Sequence, residues 1–170
     1  MEIRLQTLNK TFFASYELIL FDRDGVINEV PKVPSRYILN RSSLILNQVI
    51  LKLIVELQLD FKKVAVITNQ QCVGKGLISL NDLNLIHKKI DNSLKKLGGF
   101  PLKFYICTHL ESLECKCRKP KPGLFELARK DFMISKDKTI YIGDSPSDEE
   151  AAKYFGIKFL NYKHKETSSL

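Results

Sequence analysis

Residues 16–28, YELILFDRDGVIN, decide how the rest of the chain is interpreted. An apolar run, 16–21, is followed at once by two aspartates two residues apart and then by a glycine. Such a short apolar run is typical of a strand that is buried on both faces in a parallel sheet. If the backbone stays extended, the carboxylates of Asp22 and Asp24 share one site while Arg23 points away. Because ligands of such folds bind where the strands end, the stretch predicts a site at one edge of the sheet.

Further apolar runs alternate with segments of helical period. The predicted strands are 16–21, 63–67, 102–106, 139–142 and, as a candidate fifth, 157–160. The predicted helices are 43–59, 79–97, a segment after Pro122-Gly123, and about 146–154. The first helix is predicted from apolar residues at four-residue steps, namely Ile45, Val49, Leu53 and Leu57. The start of the second is predicted from a capping-box-like pair, Ser79 and Asp82. This order predicts a three-layer, Rossmann-like α/β domain with a mostly parallel sheet, formed as a single domain by residues 1–170.

Composition narrows the class of protein. The chain has 170 residues, of which 44% are hydrophobic and 27% charged, as in an ordinary globular domain with a real core. No run approaches the ~20 apolar residues of a membrane span, and residues 1–13 do not resemble a signal peptide, so we expect a cytoplasmic protein without a membrane partner. The net charge of +8 suits an anionic ligand, but the lysines are scattered and form no arginine-rich tract. A basic, solvated surface is therefore favoured over a nucleic-acid groove.

Polar side chains follow the predicted strands, where a parallel sheet would place its chemistry. Besides the two aspartates after the first strand, these residues are Thr68, Asn69 and Gln70 after the second, Arg118 and Lys119 between the third and fourth, and Asp144 and Asp148 after the fourth. Each signal is weak alone, because an isolated pair of aspartates or a lysine is usually a solvated surface feature. Together and in this order, they indicate an active site rather than chance.

Four stretches in this order resemble the four motifs of the haloacid dehalogenase superfamily of phosphatases. They are DRDGVIN at 22–28, ITNQ at 67–70, RKPKPG at 118–123 and YIGDSPSD at 141–148. The resemblance spans roughly residues 17–160, and the ordered set is highly specific.

The resemblance implies a mechanism. Asp22 would be the nucleophile that forms an aspartyl-phosphate, and Asp24 would protonate the leaving group and then activate water. Mg²⁺ would be held by the carboxylates of Asp22 and Asp144 and by the backbone carbonyl of Asp24. Phosphoryl oxygens and transition-state charge would be bound by Thr68, Asn69 and Lys119. Asp148 either orients Lys119 or a metal-bound water, or supplies a favourable charge in the first turn of its helix.

Three cysteines and a histidine lie within eleven residues, at Cys107, His109, Cys115 and Cys117. This is a closed four-ligand set for tetrahedral Zn²⁺, and in a chain without a secretion signal it favours metal over disulfides. The alternative is a group of buried cysteines that act as small hydrophobes. The polar residues between them favour zinc, which would hold the loop that presents Lys119.

Within the superfamily, the CxH…CxCRKPxPG arrangement next to TNQ resembles the branch of D-glycero-D-manno-heptose 1,7-bisphosphate and histidinol-phosphate phosphatases. The branch implies a minimal or absent cap domain. Substrate binding would fall to Asn69, Gln70, Lys75 and Arg118, the last two on a distal phosphate. The chain departs from the heptose enzymes at Gln71-Cys72, at Lys75, at Ser145 where lysine is frequent, and in its shorter zinc loop.

The expected reaction is therefore removal of the C7 phosphate of heptose 1,7-bisphosphate, during synthesis of nucleotide-activated heptose for surface glycans such as lipopolysaccharide. The alternatives are histidinol phosphate, a polynucleotide 3′-phosphate, or a zinc-stabilised nucleic-acid-binding module without activity. The intact catalytic set argues against the last. A monomer is the default expectation, Cys72 is not expected to bind zinc, and His87 and His164 are expected on solvated surfaces.

Overall fold

The computed structural model describes residues 10–30 and 36–162, in which five parallel strands form one sheet of order β3-β2-β1-β4-β5. The strands are β1 Leu18–Phe21, β2 Lys63–Asn69, β3 Lys103–Cys107, β4 Thr139–Gly143 and β5 Lys158–Asn161. The predicted α/β class and parallel sheet are confirmed, and the candidate fifth strand forms one edge of the sheet.

The central strand explains why the opening stretch is so apolar. All four residues of β1 are buried, because it pairs with β2 on one side and β4 on the other. Phe21, its last residue, is level with Val66 and Ile142. Asp22, the first candidate catalytic residue, thus directly follows the central strand of the sheet.

Among the described residues, five α-helices complete the layers: α1 Gln48–Leu59, α2 Gln71–Gly74, α3 Leu80–Lys96, α4 Gly123–Phe132 and α5 Pro146–Phe155. Alternate strand residues point to opposite faces, and each face has its own apolar core. One core joins α1 and α3 to residues such as Ile19 and Val66, and the other joins α4 and α5 to residues such as Leu20 and Ala65. Within the described parts of the chain, no helix has the length and apolar character needed to cross a membrane.

The predicted start of α1 at Ser43 is wrong by five residues. Asn47 caps the helix, and its side-chain oxygen accepts hydrogen bonds from the backbone N–H groups of Val49 and Ile50. Ile45 and Val49 are 58% and 55% exposed, so they do not belong to the buried stripe. The core face of α1 is formed instead by Ile50, Leu51, Leu53, Ile54, Val55 and Leu57.

The starts of α3 and α5 are fixed by capping boxes. Ser79 and Asp82 form the reciprocal capping box at the start of α3. Ser145 and Asp148 form a second capping box at the start of α5, which the sequence analysis did not predict. The four-residue helix α2 was not predicted either.

Candidate active site

Lys119 lies at the centre of a buried polar cluster below the carboxyl ends of β1 and β4. Its Nζ donates to Asp22 Oδ1 at 2.7 Å, to Asp148 Oδ1 at 2.6 Å, to the hydroxyl of Tyr141 at 2.8 Å and to the carbonyl of Ile67 at 3.1 Å. Lys119 is 5% exposed, Asp22 7% and Asp148 fully buried. A single buried ammonium therefore holds two carboxylates from distant parts of the chain in fixed positions.

Asp148 makes contacts that are compatible with both of its predicted roles. One carboxylate oxygen, Oδ1, accepts from Lys119 and from the hydroxyl of Tyr141, each within 2.8 Å. The other, Oδ2, accepts from the Ser145 hydroxyl at 2.6 Å and from its backbone N–H at 3.1 Å. The same side chain thus caps α5 and fixes the lysine.

A third carboxylate, that of Asp144, joins the cluster. Oxygen atoms of Asp22, Asp144 and Asp148 all lie within 4.8 Å of one another. Burial raises the pKa of Asp22 to about 8 against the opposing effect of Lys119, and burial together with the charge of Asp148 raises the pKa of Asp144 to about 6. The cluster therefore holds more negative charge than one lysine offsets, which is the condition that favours a divalent cation.

Gly25 allows Asp144 to approach. Its φ is +89°, and a methyl group built on it would overlap the carboxylate of Asp144. Only glycine adopts this conformation readily and leaves that space open. The chain turns sharply at this residue, directly after DRD.

Asp24 is held from three sides. Arg23 Nη2 donates to Asp24 Oδ1 at 2.8 Å and Oδ2 at 2.9 Å, Asn28 Nδ2 donates to Oδ1 at 3.0 Å, and Gln70 Nε2 donates to Oδ2 at 2.8 Å. Although burial alone would raise it, Arg23 and these hydrogen bonds lower the pKa of Asp24. The expectation that Arg23 points away is wrong, since its side chain is 1% exposed and folds onto Asp24.

The turn after β1 explains this correction. The backbone N–H groups of Val26, Ile27 and Asn28 all point to the carbonyl of Arg23. The chain has left the extended conformation at this residue, so the alternation of side chains no longer applies.

The strand β2 extends to Asn69, two residues beyond its predicted end, and the polar residues at its end are largely engaged within the protein. Asn69 Nδ2 donates to the carbonyl of Lys119 at 3.2 Å and its Oδ1 accepts from the Lys119 N–H at 3.1 Å. Gln70 Nε2 also donates to the Thr68 hydroxyl at 2.8 Å. Asn69 thus joins the end of β2 to the loop that carries Lys119, and Gln70 links Thr68 to Asp24.

Arg118 and Lys75 lie at the periphery of this arrangement. Arg118 Nη1 is buried and has no hydrogen-bond partner among the described residues. Lys75 is exposed, and its Nζ donates to the hydroxyl of Tyr37 at 2.9 Å. Both side chains retain capacity to bind an anion.

The three cysteines and His109 converge at the end of β3. The sulfur–sulfur distances among Cys107, Cys115 and Cys117 are 3.3–3.6 Å, and His109 Nδ1 lies 3.2 Å from Cys117 Sγ and 3.6 Å from Cys107 Sγ. None of the described cysteines forms a disulfide. Four ligands about 2.0–2.3 Å from a tetrahedral zinc ion would stand about 3.5–3.8 Å apart, so the spacing fits such an ion.

Two buried residues in this region were not identified from the sequence. Tyr141 was assigned only to a strand, although its hydroxyl contacts both Lys119 and Asp148. His87 was expected on a solvated surface, but it is 5% exposed and its ring stacks on Phe104 with centroids 4.0 Å apart. The pattern of α3 contained the signal, because the apolar stripe of Leu83 and Ile90 also passes through position 87. His164 lies outside the described residues.

A parallel sheet with an aspartate pair after its central strand, a buried lysine and a third carboxylate after the neighbouring strand defines the class of haloacid dehalogenase-type phosphatases. Comparison with known proteins agrees. The family model described as polynucleotide kinase 3 phosphatase matches residues 17–167. The D-glycero-beta-D-manno-heptose-1,7-bisphosphate 7-phosphatase of Helicobacter pylori strain J99 is 32% identical over 143 residues, which cover 84% of this chain and 76% of the relative.

Two further comparisons extend this result. The crystal structure of D,D-heptose 1,7-bisphosphate phosphatase from Bordetella bronchiseptica, complexed with magnesium and phosphate, superposes with a TM-score of 0.78 at 29% identity, covering 84% of this chain and 78% of that one. A histidine biosynthesis bifunctional protein of Campylobacter jejuni subsp. doylei is 28% identical over 87% of this chain but only 42% of its own length. The chain belongs to the polynucleotide kinase 3 phosphatase family of haloacid dehalogenase-type phosphatases, in the branch that contains the heptose-bisphosphate phosphatases.

Proposed function

We propose that this chain is a Mg²⁺-dependent phosphatase that forms an aspartyl-phosphate on Asp22 and removes the C7 phosphate of D-glycero-D-manno-heptose 1,7-bisphosphate. The observation that carries the chemistry is the cluster at the ends of β1 and β4, in which the buried Lys119, Asp22 and Asp148 lie beside the exposed carboxylate of Asp144. The heptose substrate is supported by the names of the similar proteins from Helicobacter pylori and Bordetella bronchiseptica.

The donor set fits Mg²⁺. Carboxylate oxygens are the ligands that this hard cation prefers, and burial raises the pKa of Asp22 to about 8 and that of Asp144 to about 6, so that a bound cation would favour the charged forms that burial disfavours. Asp22, Asp144 and the backbone carbonyl of Asp24 would hold it. When bound, it would reduce the repulsion between the phosphate and the nucleophile and stabilise charge on the phosphoryl oxygens.

In the first step, a carboxylate oxygen of Asp22 attacks phosphorus, and the bond between phosphorus and the sugar oxygen breaks. Lys119 holds Asp22 in position through its 2.7 Å hydrogen bond and supplies positive charge near the transferred group. Asp24 gives a proton to the departing sugar oxygen.

In the second step, Asp24 takes a proton from water, which attacks phosphorus and releases phosphate, so that Asp22 is regenerated. The lowered pKa of Asp24 suits this role as a base. For the first step Asp24 must be protonated, and the negative charge of an arriving phosphate favours that proton because like charges raise a carboxyl pKa.

Arg118 and Lys75 are the proposed ligands of the distal phosphate. The buried, unpartnered Nη1 of Arg118 provides a donor of the kind that binds a phosphate oxygen. Lys75 shares only one described hydrogen bond, with Tyr37, and its exposed ammonium can move to an anion. Ser145, which replaces the frequent lysine of this branch, is engaged with Asp148 and adds no charge.

We also propose that Cys107, His109, Cys115 and Cys117 bind one structural Zn²⁺. The near-tetrahedral spacing of the four ligand atoms supports this, and the site directly precedes Arg118 and Lys119. The protein is further proposed to be cytoplasmic and monomeric and to form a single domain from residues 1–170, with the zinc loop at about 107–117.

The test is phosphate release with Mg²⁺ from heptose 1,7-bisphosphate, histidinol phosphate and a 3′-phosphorylated oligonucleotide, with Asp22→Asn as the control. We expect turnover of the heptose ester at the highest kcat/KM and none by the Asp22→Asn variant. Preference for histidinol phosphate or the oligonucleotide would refute the substrate assignment alone. No turnover of any ester would refute the phosphatase proposal.

A further inference from the structure

A buried arginine connects Asp24 to a histidine on α3. Arg23 is 1% exposed, and its Nε and Nη2 atoms donate to the carboxylate of Asp24. Its remaining terminal nitrogen, Nη1, lies 3.3 Å from His87 Nε2. The guanidinium therefore bridges the side chains of Asp24 and His87, although Arg23 and His87 are 64 positions apart in the sequence.

The hydrogen bond determines the state of His87. A guanidinium carries donors only, so His87 Nε2 must accept and cannot carry a proton. His87 is therefore neutral, with its proton on Nδ1. Burial and the charge of Arg23 lower the pKa of His87 to about 3, in agreement with this assignment.

Packing holds the imidazole where it can accept this bond. Its ring lies parallel to that of Phe104 on β3, with an interplanar angle of 4°. The chain thus has a continuous series of contacts from the edge strand, through α3 and Arg23, to the carboxylate at the catalytic cluster.

We propose that His87 is a positioning residue, which orients the catalytic carboxylate of Asp24 by fixing the guanidinium of Arg23. This inference rests on the proposed phosphatase function, in which Asp24 transfers the proton. Without an acceptor at position 87, Nη1 is buried and unsatisfied, and the guanidinium can turn away from the carboxylate. Asp24 then retains Asn28 and Gln70 as partners but loses the rigid bidentate one.

Leaving-group chemistry separates this role from a merely structural one. An alkyl alcohol departs only with a proton from the general acid, whereas p-nitrophenolate departs without one. A misplaced Asp24 should therefore lower kcat/KM for an alkyl phosphate and spare that for p-nitrophenyl phosphate. A general loss of packing would lower both values alike.

The experiment compares His87→Phe, which keeps a stacking ring without an acceptor, with His87→Gln, which keeps an acceptor without the ring. Phe104→Leu is the matched control, because it removes the stacking partner and leaves the acceptor. For the best alkyl phosphate of the panel we expect His87→Phe to lose about 10-fold or more in kcat/KM, with less than about twofold loss on p-nitrophenyl phosphate. His87→Gln should recover most of the alkyl activity, and Phe104→Leu, which weakens the packing of the imidazole but keeps its acceptor, should retain more alkyl activity than His87→Phe.

Equal losses on both esters for His87→Phe, or no recovery in His87→Gln, would overturn the inference. Should His87→Phe fail to fold, long-range ¹H–¹⁵N spectra of the wild-type chain decide the point, because a proton on Nε2 of His87 would refute the contact with Arg23. Failure of the wild type to release phosphate from either ester would refute both the proposed function and this inference. Equal losses would refute the inference alone.

Discussion

Replacement of Lys119 by methionine tests the electrostatics of the cluster most directly. Methionine retains the length and apolar stem of the side chain but removes the charge and all four hydrogen bonds of Nζ. Two buried carboxylates, those of Asp22 and Asp148, then lose their cation. Removal of one partner from a buried ion pair costs about 3–5 kcal/mol, so we expect Lys119→Met to lose that much unfolding free energy near neutral pH without added metal.

The loss must depend on pH in a defined direction. Lys119 lowers the pKa of Asp148 in the native chain, so this carboxylate adds stability above the unfolded pKa of an aspartate and loses it as the pH falls. In the variant, burial dominates, so the pKa of Asp148 rises, and that of Asp22, which is already about 8 in the native chain, rises further. A carboxyl with a raised pKa stabilises the fold at low pH and loses that contribution as the pH rises through its folded pKa. The difference between wild type and variant should therefore grow from about pH 5 to about pH 8.

The assay is urea unfolding with a chelator present, followed by circular dichroism. Lys119→Met/Asp148→Asn is the matched control, because it removes the cation together with one of its two carboxylates. At about pH 8 the double variant should be more stable than Lys119→Met. A loss below about 1 kcal/mol, as for an exposed ion pair, or the same loss at both pH values, would refute the reasoning.

Three further predictions concern the two clusters of candidate metal ligands. Mg²⁺ should raise the unfolding temperature more at about pH 8 than at about pH 5, because it must displace protons from Asp22 and Asp144, whose pKa values are raised; equal shifts by differential scanning fluorimetry would contradict this. Gly25→Ala should weaken Mg²⁺ binding at least about 10-fold by calorimetry, because the added methyl group overlaps the carboxylate of Asp144. Gly98→Ala is the control, since Gly98 has nearly the same φ of +88° but open space around it, and it should lose only about 1–2 kcal/mol of unfolding free energy to backbone strain. Native mass spectrometry should find about one zinc per chain, lost in Cys115→Ser and kept in Cys72→Ser; four freely alkylated cysteines in the wild type would refute the zinc proposal.

The fold could be predicted because its signals are local. The buried run that ends at Phe21 and the capping box of Ser79 each depend on residues a few positions apart. The start of α1 was predicted wrongly for the same reason, because the four-residue spacing of Ile45 and Val49 favours an earlier start than the Asn47 cap that lies between them. Prediction of a helix or strand from local sequence patterns is thus correct where one signal dominates, and wrong where two signals within one helical turn favour different starts.

The site was predictable in position but not in its contacts. Asp22 and Asp144 meet because β1 and β4 are parallel neighbours, so any polar residue after either strand reaches the same edge. The bond between Arg23 and His87 depends instead on where the chain turns after β1 and on which side of α3 faces the sheet. Neither follows from the residues near Arg23. A histidine within an apolar helical stripe was visible in the sequence, but its partner could be identified only once the turn had placed a buried cation opposite it.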